Sequence, residues 1–191
     1  QACVGGHGVG CPEGCSPAAR WWSRVSKKIR LAVAQAAVRF LASQCSERDG
    51  VRHRLIEGCF GIFGHGNIAG LGQALMQLEL ERDPGGGQDA LRYYQCRNEQ
   101  AMVHTAVGFS KMRHRLQTMA CTTSVGPGAT NMVTGAALAT INRIPVLLLP
   151  GDVFATRASG TVLQQLESSR GHDISVNDTL RPVSVFFDRV W

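Results

Sequence analysis

Repeatedly along this chain, a short apolar run ends in a tight turn that opens directly into a helical pattern. Cys59-Phe60-Gly61-Ile62-Phe63 reads as a buried strand, stopped by Gly64-His65-Gly66-Asn67 and followed by an apolar helical segment over residues 68–80. Leu91 to Cys96 reads as a second strand, and from Asn98 onward Ala101, Met102, Thr105, Ala106 and Phe109 share one side of a helix. Leu116 to Thr122 reads as a third strand, turning through Gly126-Pro127-Gly128 into a helix over residues 129–141. Pro145 to Leu149 is a fourth, ending in Pro150-Gly151-Asp152. Strands that alternate with helices predict an α/β fold, a parallel sheet flanked by helices. Ligands of such sheets sit at the carboxyl ends of the strands, where the glycine turns fall.

Outside this core the patterns differ. Ser26 is placed to cap a helix carrying Ile29, Val33, Ala36, Ala37, Phe40 and Leu41 at helical spacing. Glu47 to Arg54 reads as a polar loop, and Asp83-Pro84-Gly85-Gly86-Gly87 as another. Beyond Asp152 a short helix is expected at Leu163 to Glu167, with a mixed segment from Arg181. Residues 1–26 hold five glycines, two prolines and no hydrophobic period, and are expected to be a disordered leader ahead of a domain over 27–191. Cys3, His7, Cys11 and Cys15 recur there at every fourth residue, but zinc sites usually separate two ligand pairs by a longer loop. The chain begins with Gln and stops at Trp191 inside an apolar stretch, so it is expected to be a piece of a longer protein.

Composition narrows the function classes. With 44% apolar residues the chain can bury a core. No apolar run reaches the roughly 18 residues of a membrane span, because Asn142 and Arg143 interrupt the most hydrophobic stretch. No secretory signal is visible, which with the odd set of seven cysteines predicts a cytoplasmic protein with reduced thiols, and Cys45, Cys59, Cys96 and Cys121 acting as small hydrophobes. The net charge is +6, and residues 1–54 carry all of it, nine Lys/Arg against three acids. Residues 55–191 balance 11 against 11, so neither nucleic acid nor a membrane is the expected partner.

Several familiar sites are absent. Gly64-His65-Gly66-Asn67-Ile68-Ala69-Gly70 is one residue too long for the dinucleotide fingerprint, and Gln95-Cys96-Arg97 offers no acid to a ribose. Thr122-Thr123-Ser124-Val125-Gly126 lacks the first glycine of a nucleophile elbow. No Walker A sequence occurs, and the folded body has no His pair at metal spacing. Glu99 opens a helix, where the dipole favours an acid whether or not it has a further task. His104 lies off the helical face of Glu99 and reads as a packing residue. His65, in the glycine turn, is the better functional candidate.

Three longer motifs sharpen the reading: Phe60-Gly61-Ile62-Phe63-Gly64-His65-Gly66-Asn67, Tyr94-Gln95-Cys96-Arg97-Asn98-Glu99-Gln100-Ala101-Met102-Val103-His104, and Cys121-Thr122-Thr123-Ser124-Val125-Gly126-Pro127-Gly128-Ala129-Thr130-Asn131. In this order they resemble the N-terminal pyrimidine-binding domain of thiamine-diphosphate enzymes, from about Lys27 to the end. Pro150 to Arg157, Ser175 to Asp178 and Arg181 to Ser184 are similar to the trihydroxycyclohexanedione hydrolase branch of myo-inositol breakdown, more than to acetolactate synthase. Cys96 stands where the family usually has glycine, which is expected to tighten the turn before Glu99.

The resemblance implies a cofactor, thiamine diphosphate, whose pyrimidine N1′ is bonded by a carboxylate that favours its imino tautomer. Glu99 matches that carboxylate and so becomes the expected catalytic and cofactor-binding residue. Gly126, Pro127 and Gly128 are expected to let backbone approach the pyrimidine, and His65 and Asn67 to face the substrate. The family holds the diphosphate and Mg2+ on a separate domain with a Gly-Asp-Gly and a later Asn, so no metal site is expected here; Gly151-Asp152 is followed by Val153. Its active sites lie between subunits, implying at least a homodimer when full length and an inactive fragment alone. The alternatives are a carboligase fragment similar to acetolactate synthase, or a non-catalytic remnant that pairs with a full-length subunit.

Overall fold

The computed structural model describes residues 29–81, 91–152, 162–167 and 175–190. The chain divides into compact units 1–31 and 32–191. The leader, its Cys3, His7, Cys11 and Cys15, the Ser26 cap and the 83–87 loop lie outside the described residues.

Helix α1 spans Val33–Ser43, and a hairpin comes next, built from β1 (Cys45–Arg48) and β2 (Val51–Arg54). After it come β3 (Ile56–Gly61), a π-helical stretch Ile68–Gly72 that runs into α2 (Gln73–Leu80), and β4 (Arg92–Gln95). The order continues with α3 (Glu99–Met112), β5 (Thr118–Thr123), the single turn α4 (Pro127–Thr130), α5 (Val133–Ile141) and β6 (Leu147–Pro150). A 3-10 helix, Val176–Val183, closes it. Strands β4-β3-β5-β6 form one parallel sheet, which bears out the α/β expectation.

Period-two alternation divides the core into two layers. Cys59, Ala120 and, partly buried, Leu147 and Leu149 pack with Val38 and Ala42 of α1 and Ala74 and Leu75 of α2. Phe60, Met119, Cys121 and Leu148 pack on the other face with Met102, Val103 and Ala106 of α3 and Ala136 of α5. Strand β5 is buried at all six positions, as a central strand covered on both faces must be. Opposite the carboxyl ends, buried Ser110 of α3 and Thr118 of β5 lie 2.9 Å apart, and the Thr118 hydroxyl donates to the Pro145 carbonyl at 2.6 Å. These bonds tie α3 to the start of β5.

Four expectations are corrected. Helix α1 starts at Val33, with the Ala32 N–H donating to Gln35 Oε1 at 2.8 Å. Its inward face is Ala34, Val38, Leu41 and Ala42, while Val33 and Phe40 are exposed; two apolar stripes compete on this helix. The polar 47–54 stretch is no loop. Asp49 and Gly50, at φ 53° and 76°, form the two-residue turn of a hairpin, whose positive φ values match the strand twist. Residues 163–167 form a turn rather than a helix, because Gln164 sits at φ 60°. Cys45 is exposed, whereas Cys59 and Cys121 are buried.

Burial pushes the Cys59 thiol up to about 12, with Cys96 adding to the shift, and burial raises Cys121 well above the usual thiol range. Both therefore stay protonated and inert in neutral water. No helix among the described residues is long and apolar enough to cross a membrane.

The segment after β6 is fastened by charge. Arg189 lies 2.8 Å from Asp178 and 3.5 Å from Asp152, Arg181 is 3.2 Å from Asp178, and the Ser175 hydroxyl donates to Asp152 at 2.7 Å. Burial pushes the Asp178 carboxyl up, but the Ser175 N–H, Arg181 and Arg189 outweigh it and hold the group below its ordinary range. A depressed carboxyl stabilises the fold above its unfolded pKa, and the contribution fades as pH falls through the lower folded value. Asp178→Asn should therefore lower the urea midpoint at pH 7, and the gap from the parent should shrink as pH falls below the ordinary carboxylate range.

Helices α3 and α5 meet at Gly135, where a Cβ would lie 2.6 Å from Val103 Cβ. Gly135→Ala should cost about 1–2 kcal/mol in chemical denaturation, overpacking outweighing the gain in helix propensity.

Candidate functional site

The register brings Gly61 beside Gln95 and Thr122, and Thr123 beside Pro150, so the sequences after all four strands emerge at one edge of the sheet. Glycine lets these turns close on one another. A Cβ on Gly64 would lie 2.8 Å from Ser124 Cβ, and one on Gly66 (φ 94°) would run into Val125. A Cβ on Gly151 would lie 3.0 Å from Val125 Cγ1. Val125, itself buried, is thus clasped between the turns after β3 and β6.

Glu99 is the first residue of α3. Asn98 caps that helix, its Oδ1 accepting the Ala101 N–H at 2.9 Å, and this fixes where the carboxylate starts. Both carboxylate oxygens are used. Asn131, closing α4, donates its Nδ2 hydrogen to Oε2 at 2.7 Å, and the buried Thr123 hydroxyl donates to Oε1 at 3.3 Å. Donors on both oxygens hold the plane of the carboxylate. Gly128 faces the same group: a Cβ there would lie 2.7 Å from Thr123 Oγ1 and 3.4 Å from Glu99 Oε1.

An open cleft of about 830 Å³ runs past this carboxylate. Ile62 and Phe63 give it an apolar wall; Glu99, Ser124, Asn131 and His65 bring polar groups. Pro127 and Gly128 line it, and so do Leu163 and Gln164 from the later turn. Gly126, at φ 62°, lies just behind, because a Cβ there would collide with the Gln164 carbonyl.

The sequence-derived candidates therefore fall into two sets. Glu99, His65, Pro127 and Gly128 meet at the cleft, with Gly126 shaping its wall. Asn67 sits instead within its own turn, 2% exposed. Its Oδ1 accepts the Gly64 N–H at 3.0 Å, and its Nδ2 donates to the Ile62 carbonyl and Thr122 Oγ1, each at 3.3 Å. His104 packs near Gly135 on the far side of α3. Cys96 is half-buried, its N–H donating to the Gly61 carbonyl at 2.9 Å, and its thiol is raised by burial. Among the described residues no His/Cys/Asp/Glu cluster could hold a metal ion.

Thr123, Asn131, Leu163 and Gln164 carry no role in the sequence patterns above. Thr123 and Asn131 flank the Gly126-Pro127-Gly128 turn, and that placement was the available signal. Leu163 carried none, since its contribution is a backbone carbonyl brought from far along the chain.

Comparison with known proteins agrees with this geometry. The family model for the thiamine pyrophosphate enzyme N-terminal TPP binding domain matches residues 52–170, more than half of the chain. The chain is 57% identical over 162 residues to the 3D-(3,5/4)-trihydroxycyclohexane-1,2-dione hydrolase of Geobacillus thermodenitrificans, and 54% identical over 162 residues to that of Bacillus thuringiensis. In both cases 85% of this chain aligns with 24% of the relative, so the chain spans about a quarter of the length of the curated relatives it matches. The parallel sheet, the Glu99 cleft and the matched residues converge: the chain belongs to the thiamine pyrophosphate enzyme family, through its N-terminal TPP binding domain.

Proposed function

We propose that this chain is the pyrimidine-binding part of a thiamine-diphosphate-dependent hydrolase that opens the ring of trihydroxycyclohexane-1,2-dione, a cytoplasmic step of inositol breakdown. The observation that carries the reading is the Glu99 carboxylate, set in a cleft by Asn131 and Thr123 beside a glycine with no side chain to fill the space. A flat heteroaromatic ring fits such a place: Gly128 leaves room for it, and Ile62 and Phe63 offer apolar surface.

When bound, thiamine diphosphate supplies a carbon nucleophile and an electron sink for breaking the carbon–carbon bond. Glu99 would hold the pyrimidine at N1′, sharing a proton with that nitrogen and taking it back as charge redistributes. Asn131 and Thr123 keep the carboxylate in place while it does so. The Gly126-Pro127-Gly128 turn gives the ring a close backbone wall. His65 stands on the substrate side of the cleft, and Asn67 serves it indirectly by bracing the turn.

The diphosphate and Mg2+ belong, on this reading, to a separate domain in a partner copy, so that a homodimer at least completes each site. In support, relatives of which the aligned region makes up only 24% carry the hydrolase name, and no Gly-Asp-Gly occurs in these 191 residues. The same relatives favour ring opening over acetolactate-type carboligation.

In the full-length protein, Glu99→Gln should lower kcat on the cyclic dione by about 10²–10⁴-fold, the usual weight of a positioned acid–base group. Retained turnover would overturn the assignment, and turnover of pyruvate instead of the dione would favour the carboligase. Asn67→Ala, which leaves three buried bonds unmade, should destabilise the chain by about 1–3 kcal/mol in urea titrations.

A further inference from the structure

The His65 ring lines the Glu99 cleft, and its Nε2 lies 2.6 Å from the Leu163 carbonyl oxygen. A carbonyl oxygen only accepts, so the proton must sit on Nε2. In the neutral ring Nδ1 then keeps a lone pair, and among the described residues that atom has no hydrogen-bond partner. The carbonyl is held there by an uncommon turn. Gln164 takes a left-handed conformation at φ 60°, and its own carbonyl lies where only Gly126, lacking a Cβ, leaves space. The Gln165 N–H donates back to the Val162 carbonyl at 3.2 Å. A non-glycine residue in this region persists when its surroundings over-determine it.

We propose that the Val162–Gln165 turn is a positioning element for His65: the Leu163 carbonyl selects the Nε2–H tautomer, leaving Nδ1 as a hydrogen-bond acceptor for a hydroxyl of the substrate. The inference rests on the reading of the cleft as the site of a polyhydroxylated cyclic dione. Such a ring has two unlike edges. Its hydroxyls can donate to Nδ1, whereas its ketone oxygens only accept and are turned away. His65 thus orients the hydroxylated edge toward the glycine turn.

The tautomer is readable without cofactor or turnover. Two-bond proton–nitrogen spectra of the histidine-labelled chain at about pH 8, where an ordinary imidazole is neutral, should show His65 protonated at Nε2. Gln164→Pro forbids the left-handed turn and should turn His65 into a tautomer mixture, while Gln164→Gly should preserve the Nε2–H form. An Nδ1–H ring in the parent, or an unchanged ring in Gln164→Pro, overturns the proposal.

A second arm uses the full-length protein and the trihydroxycyclohexane-1,2-dione. His65→Gln keeps a donor near Nε2 but offers no acceptor near Nδ1, and should raise KM about three- to tenfold, the weight of one hydrogen bond. His65→Asn, with an amide near the Nδ1 position, should be affected less. Equal KM in His65→Gln and the parent, or a larger loss in His65→Asn, refutes the acceptor role. If Glu99→Gln retains turnover while the tautomer results stand, the cofactor reading fails and the positioning of His65 does not.

Discussion

The site depends on how closely three turns can approach one another at the carboxyl edge of a parallel sheet. Val125 sits where the turns after β3 and β6 converge, and neither Gly66 nor Gly151 could carry a Cβ without meeting it. On the adjoining side Gly126 yields its space to the Gln164 carbonyl, and Gly128 to the surroundings of Glu99. Side chains at these positions would push the turns apart and pull Asn131 and His65 from their places in the cleft. The glycines therefore act through packing, and Gly66 and Gly126 also through a positive φ that side chains disfavour. The π-helical start of the helix after β3 serves the same end, since Gly72 N–H reaches back to the Asn67 carbonyl at 3.0 Å and fastens the turn to α2.

Much of this was legible because it obeys local periodicity. The four strands, the helices after them and the cleft edge come from apolar runs and turn residues read in order, and Glu99 comes from a long motif around a helix start. The features that escaped the sequence fall into two kinds. The hairpin 45–54 reads as a loop because its strands are polar, although Asp49-Gly50 is a strong short-range hairpin signal. The second kind is contact across the chain: Thr123 and Asn131 reach Glu99 from 24 and 32 residues away, and Leu163 reaches His65 from 98. No spacing rule covers such pairs, since tertiary packing creates them. The helix expected at 163–167 failed for the same reason, because a left-handed Gln164 is stable only against a glycine from another element.

Charge is divided between site and scaffold in a way that composition hides. The body beyond residue 54 is neutral overall. Its ion pairs nevertheless concentrate where the segment after β6 must be held, with Asp152, Asp178, Arg181 and Arg189 within reach of one another. Glu99 takes neutral donors instead, Asn131 and Thr123. A cation at that position would bind the carboxylate as an ion pair and compete with any ring nitrogen offered to it. Amide and hydroxyl donors orient the acid without pairing its charge.

These two arrangements meet in the stretch between β6 and the 3-10 helix. Ser175 donates to Asp152, and Asn177 donates to the Gly151 carbonyl at 2.8 Å, so residues far apart in sequence are joined at the base. Glu167 accepts the Val176 N–H at 2.9 Å on the return side. Closing a long chain segment costs entropy that grows only slowly with its length, so a few bonds at the base suffice to hold its ends together. The turn that meets His65 lies within this stretch, and it makes its contact through a backbone carbonyl. Side-chain changes at Leu163 can therefore accumulate without disturbing the His65 hydrogen bond, whereas a change in backbone conformation at Gln164 would break it.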